Sequence, residues 1–205
     1  MARRFLAAAT AFATIALAAA PAQAQRADDR TALETLADYS SCAAGMTPQG
    51  AAALLEIDPG SDDFGPAQRR FATGHERCVP RGGRIAFNGL LFSGFLAEAL
   101  FKARLTAQSL ADAAAATPVD APADAPAGTV VEGIGRCMAR RQPAALAQLF
   151  QTRPGSVDET AALQLTGADL PACVPPGVTM TLNKPAVRAM YALGAYGLLG
   201  AGRAD

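Results

Sequence analysis

Residues 42–80 read CAAGMTPQGAAALLEIDPGSDDFGPAQRRFATGHERCVP, and residues 137–175 read CMARRQPAALAQLFQTRPGSVDETAALQLTGADLPACVP. Each stretch opens on a cysteine and closes on Cys-Val-Pro, with Cys42 and Cys78, like Cys137 and Cys173, 36 residues apart. A shift of 95 residues lays 42–101 on 137–196 without a gap, and 16 of those 60 positions are identical. The shared residues are mostly punctuation. Pro48 falls on Pro143, Pro59-Gly60-Ser61 on Pro154-Gly155-Ser156, Asp63 on Asp158, Gly82 on Gly177 and Asn88 on Asn183. Residues that start and stop elements persist while those between them drift, as expected of a duplicated supersecondary unit.

The same punctuation predicts the elements. Apolar residues at helical spacing lead into each first cysteine, over 32–42 and 130–137. Pro48 and Pro143 then stand where a helix begins, because a first-turn proline gives up an N–H that had no partner anyway. Those second helices should run to about residues 57 and 151. Ser61 and Ser156 are expected to cap a third helix, and Ser156 with Glu159 fits a capping box. Asn88 and Asn183 are expected to cap long, apolar fourth helices over 89–102 and 184–199. The first is interrupted only by Ser93, Glu98 and Lys102, and the second only by Arg188 after Lys184. Helices apolar nearly all round are buried, so these two should form a shared centre. Residues 178–182 alternate at period two, which leaves room for a short two-stranded pairing with 84–87. The fold class is therefore all-α: two tandem four-helix repeats related by pseudo-two-fold symmetry, each stapled by one disulfide.

The flanks place those repeats. Arg3 and Arg4, an apolar run over 5–20, Pro21 and the triplet Ala22-Gln23-Ala24 make a signal peptide over 1–24. The run falls short of the roughly 20 residues that span a bilayer. Repeat 1 then covers 25–110, an Ala/Pro/Asp-rich linker 111–128, and repeat 2 129–205. No second stretch reads as a transmembrane span. Removing Arg3 and Arg4 leaves 16 basic against 18 acidic residues, which argues against a nucleic-acid partner. In an exported chain four cysteines at matched spacing point to structural disulfides. Pairing within each copy, Cys42–Cys78 and Cys137–Cys173, needs the shortest loops.

Candidate chemistry is thin. His75 is the only histidine and sits among charged residues, so a surface position is expected. Asp62 and Asp63 are explained by the start of a helix, where acids favour the dipole. Neither Gly82-Gly83 nor Gly133-Ile134-Gly135 carries the context of a phosphate loop. No catalytic, cofactor or metal site is assigned. One difference between the copies does point outward. Arg69, Arg70, Arg77, Arg81 and Arg84 stand where copy 2 has Gln164, Leu165, Ala172, Pro176 and Thr179. Such a cluster suits an anionic surface group or an envelope protein. The composition and signal fit a bacterial periplasmic protein, with full secretion as the alternative. The expected role is a non-catalytic interaction or scaffold module. A small-ligand protein or enzyme using a groove at the repeat junction is the competing expectation.

Overall fold

A computed structural model describes residues 20–59, 61–80, 88–103, 105–116 and 129–201, with side chains from 29 to 200. The described residues hold ten α-helices and no strand. In chain order they are α1 (Ala20–Met46), α2 (Pro48–Leu55), α3 (Phe64–Gly74), α4 (Gly89–Lys102) and α5 (Ala107–Ala116). A 3-10 turn (Glu76–Cys78) follows α3. The second half holds α6 (Val130–Arg141), α7 (Pro143–Gln151), α8 (Val157–Thr166), α9 (Leu170–Cys173) and α10 (Lys184–Ala201). None is long and apolar enough to cross a membrane, among the described residues.

The caps explain most of these boundaries. Pro48 and Pro143 open α2 and α7 at the first turn. Asn88 accepts from the Leu91 N–H at 2.8 Å, and Asn183 from the Ala186 N–H at 3.0 Å, so both long helices begin where their asparagines stand. Ser156 accepts from the Glu159 N–H at 3.0 Å, and Glu159 reaches back to the Gly155 N–H at 2.7 Å. The box is thus closed one residue further out than usual. Ser61 behaves differently. Its hydroxyl turns back to the Asp58 carbonyl at 2.8 Å, and α3 begins later, after Asp63, which makes no side-chain cap. With two acids following it, Ser61 closes the preceding turn instead of opening the helix.

Each disulfide closes within one half of the chain. Cys42–Cys78 ties the end of α1 to the 3-10 turn, with Cα atoms 5.7 Å apart. Cys137–Cys173 ties α6 to the end of α9 at 5.6 Å. Two apolar clusters lie around them. One gathers Leu36, Tyr39, Leu54, Phe64, Phe92 and Leu96 from α1–α4. The other gathers Ile134, Met138, Leu149, Phe150, Met190 and Tyr191, and it takes in Phe101, Leu105 and Leu110 from the first half.

That last contribution redraws the middle of the chain. Residues 111–116, expected to belong to a linker, continue the helix α5, and its Leu110 is fully buried against the second core. The remainder of the expected linker, 117–128, lies outside the described residues. Residues 178–182 take no regular structure, and 84–87 lie outside the described residues, as does most of the signal segment.

The two halves meet along α4 and α10, which approach so closely that a side chain would not fit between them. A Cβ on Gly94 would stand 2.3 Å from the Ala189 Cβ. Gly94 and Ala189 are 95 residues apart in sequence. A second close crossing joins α6 to α10, where a Cβ on Gly135 would fall 2.1 Å from the Met190 carbonyl oxygen. Small residues let these backbones touch, and the remaining apolar side chains fill the space on either side.

Candidate functional site

The polar interruptions of the two central helices meet at the junction. Arg188 on α10 is 1% exposed in its side chain, and all five of its N–H donors are used. Nε donates to Glu98 Oε2 at 2.8 Å and one Nη2 proton to Glu98 Oε1 at 2.7 Å, a bidentate pair with α4. Nη1 donates to Glu159 Oε1 at 3.0 Å and to the Thr152 hydroxyl at 3.1 Å. The last donor takes the Thr152 carbonyl at 3.0 Å. Glu159 keeps its second oxygen on the Gly155 N–H, and Thr152 passes its own proton to the Leu149 carbonyl at 2.6 Å. Lys102, 41% exposed, closes the charge balance on Glu98 Oε1 at 3.3 Å. The Phe150 ring lies under the guanidinium, 5.9 Å from its centre.

Burying ions costs several kcal/mol each, and the cost is met only when geometry is good and every remaining lone pair is engaged. Both conditions hold here. Burial alone would lower the Arg188 pKa, but the hydrogen bonds and charges of Glu98 and Glu159 outweigh it and hold the guanidinium above its ordinary value. A raised arginine stays charged below that value, so the lock contributes fully at neutral pH and is lost only on the far alkaline side. The cluster joins residues 90 apart in sequence, Glu98 from the first half of the chain and Arg188 from the second.

Beside this lock lies a small groove of about 190 Å³. Asp38 and Ser41 of α1, Phe95, Glu98 and Lys102 of α4, and Thr152, Arg153 and Pro154 of the α7–α8 connection line it. Ligand pockets for small molecules usually start at roughly 300 Å³. The junction is therefore largely filled, and the carboxylate facing the groove, Glu98, is already held by Arg188 and Lys102.

His75 is a correction. It is 6% exposed and not at the surface. The Phe71 carbonyl 2.6 Å from Nδ1 can only accept, so Nδ1 carries a proton, and Nε2 shares a hydrogen bond of 2.6 Å with the Thr47 hydroxyl. The ring also packs on Phe71 at 4.2 Å. Its role is to join the α1–α2 corner to the end of α3, next to the Cys42–Cys78 bond.

Of the five arginines singled out in copy 1, Arg69, Arg70 and Arg77 are exposed. Among the described residues none of the three has an ion pair. Arg81 and Arg84 lie outside the described residues. The sequence does not announce the Arg188 lock as a unit, although Arg188 and Glu98 each stand out as a polar interruption of an apolar helix. No protein-family model, curated protein or solved structure matches this chain.

Proposed function

We propose that this is an exported, non-catalytic helical-repeat protein of the bacterial envelope, periplasmic, whose two copies are related by a pseudo-two-fold axis near Gly94 and Ala189. It presents the arginine face of copy 1 to an anionic partner. The observation that carries this reading is how differently the charges are used. Arg188, Glu98 and Glu159 are consumed in holding the copies together, while Arg69, Arg70 and Arg77 stay exposed and unpaired among the described residues. Duplicated modules share what folding needs, so a charge cluster confined to one copy marks what that copy does alone. Arginine's planar fork suits carboxylate and phosphate groups, which are plentiful on envelope surfaces.

The axis has its own support. Gly94 meets Ala189, its counterpart in the other copy. The same interval maps the Glu98–Arg188 pair onto Leu193 and Ser93, so the junction is polar on one side and uncharged on the other. That difference gives the two copies unequal surfaces around a common frame.

The test is affinity recovery from envelope extract, using protein purified from the periplasmic fraction with Gln25 as its first residue. Changing Arg69, Arg70 and Arg77 together to glutamine should abolish partner recovery and leave the melting temperature within about 2 °C, because exposed substitutions rarely move stability by more than about 0.5 kcal/mol. Unchanged recovery would overturn the assignment of this face.

A second reading makes the junction groove a small-ligand site, because Asp38, Glu98, Lys102 and Arg153 all line it. Its volume suits only a few heavy atoms. It predicts that partner recovery survives the arginine changes and that Arg153→Ala alters ligand-dependent melting.

A further inference from the structure

Arg136 and Arg140 stand four residues apart on α6, so their side chains leave the same face of the helix. Both are half-buried. The Arg136 stem crosses α10 at Gly197, where the missing side chain makes room: Cδ lies 3.6 Å and Nη1 4.0 Å from where a Cβ would stand. Arg136 Nη2 and Arg140 Nε are shut off from solvent, and neither has a hydrogen-bond partner among the described residues. Among the described residues no carboxylate comes within ion-pair reach of either guanidinium. Their neighbour Arg141 is different, held by Asp169 at 2.9 Å.

A desolvated guanidinium donor left unpaired is expensive, and two such groups side by side add mutual repulsion. Burial first, and the Arg136 charge second, push Arg140 below its ordinary pKa. Glu132, one turn earlier, is a poor counter-ion. Its own burial outweighs the pull of Arg136 and holds its carboxyl above the usual range. Copy 1 has Ser41 and Gly45 at the equivalent positions, so nothing in the shared frame requires this pair. The Cys137–Cys173 bond fixes α6 between the two arginines.

We infer that Arg136 and Arg140 form an oxyanion site that takes a phosphate group, whose oxygens accept from the N–H donors of the two half-buried forks that still reach solvent. A tetrahedral group with several acceptor oxygens can bridge two forks in a way that a single chloride cannot. The phosphate can be free or carried on a lipid headgroup, and the site's chemistry is the same.

The experiment titrates the protein recovered from cells with inorganic phosphate by calorimetry, at constant ionic strength set with chloride. A parallel arm sediments the protein with vesicles of phosphatidylglycerol in phosphatidylcholine. Saturable one-to-one phosphate binding is expected, weakened about tenfold or more by Arg136→Gln and by Arg140→Gln, the loss of one charge-assisted contact. Arg136→Lys keeps the packed stem and the charge but not the fork, so it should weaken binding less than Arg136→Gln. Vesicle binding with the same dependence on both arginines, without saturable binding of free phosphate, would also support the site and assign the group to a headgroup. Failure to bind in both arms, or binding indifferent to both glutamine changes, would overturn the proposal. Neither arm involves Arg69, Arg70 or Arg77, so its outcome is separable from that of the partner-binding face.

Discussion

Replacing Arg188 with methionine should lower the unfolding free energy by about 3–5 kcal/mol, the loss expected when one member of a buried ion pair is removed. Methionine fills much of the same volume, so the effect is not a cavity. It comes from the carboxylates. Glu98 would keep only the half-exposed Lys102 at 3.3 Å, and Glu159 only the Gly155 N–H at 2.7 Å. The Thr152 carbonyl would lose its donor as well. For a domain of this size the loss corresponds to roughly 6–20 °C in melting temperature. A further variant separates the cause. Adding Glu98→Gln and Glu159→Gln to Arg188→Met removes the orphaned charges and should recover part of the loss. A melting temperature within 2 °C of the parent would show that water reaches the cluster and that it is no lock.

Opening either disulfide is the second large effect. Cys42→Ser with Cys78→Ser should cost about 4 kcal/mol on the chain-entropy estimate for the 36-residue interval. Cys137→Ser with Cys173→Ser should cost the same within about 1 kcal/mol, because its interval is also 36 residues. Paired serine changes avoid a free thiol. Stability of a domain this size is itself only about 5–15 kcal/mol, so each loss removes a large share. Urea denaturation at fixed pH, with the slope compared as well as the midpoint, gives both values. A cost below about 1 kcal/mol for one pair would mean that its loop is held by packing alone. A large cost for one copy and a small one for the other would break the equivalence that the repeat implies.

How much of this was legible in the sequence follows from the range of the interactions. Local signals were readable. Asn88 and Asn183 cap the helices they were expected to cap, Pro48 and Pro143 open theirs, and the matched cysteine interval led to the pairing found. Each rests on residues a few positions apart, or on a count. Ser61 went astray because Ser, Asp and Asp in succession offer several local bonds, and the one to the Asp58 carbonyl competes with capping. The helix over 107–116 was hidden by alanine, which favours helix yet leaves almost no periodic pattern, and a single buried leucine, Leu110, anchors it. His75 is buried by a hydroxyl 28 residues away, which no neighbouring residue announces.

The candidate sites divide along the same line. The arginine cluster of copy 1 could be found by comparing the copies, because it needs only sequence. The Arg188 lock depends on a partner 90 residues away, and the Arg136–Arg140 pair stands out only through the partners it lacks. Both became visible once α4, α6 and α10 were in place. A charge alone in an otherwise apolar helix was the available signal, and two such helices at equivalent places in a repeat were the hint that their charges meet.

The central structural claim is that the two halves of the chain are one cooperative body, held by the Glu98–Arg188 bond and the close contact of Gly94 with Ala189. Hydrogen exchange through a series of low urea concentrations tests it most directly, reading peptides from α4 and α10 separately. The slowest amides of both helices should open in one event with the same free energy and urea dependence, and Arg188→Met should lower both by the same amount. If α4 kept its protection at urea concentrations where α10 had already exchanged, the copies would be separate units and the junction would not hold them together.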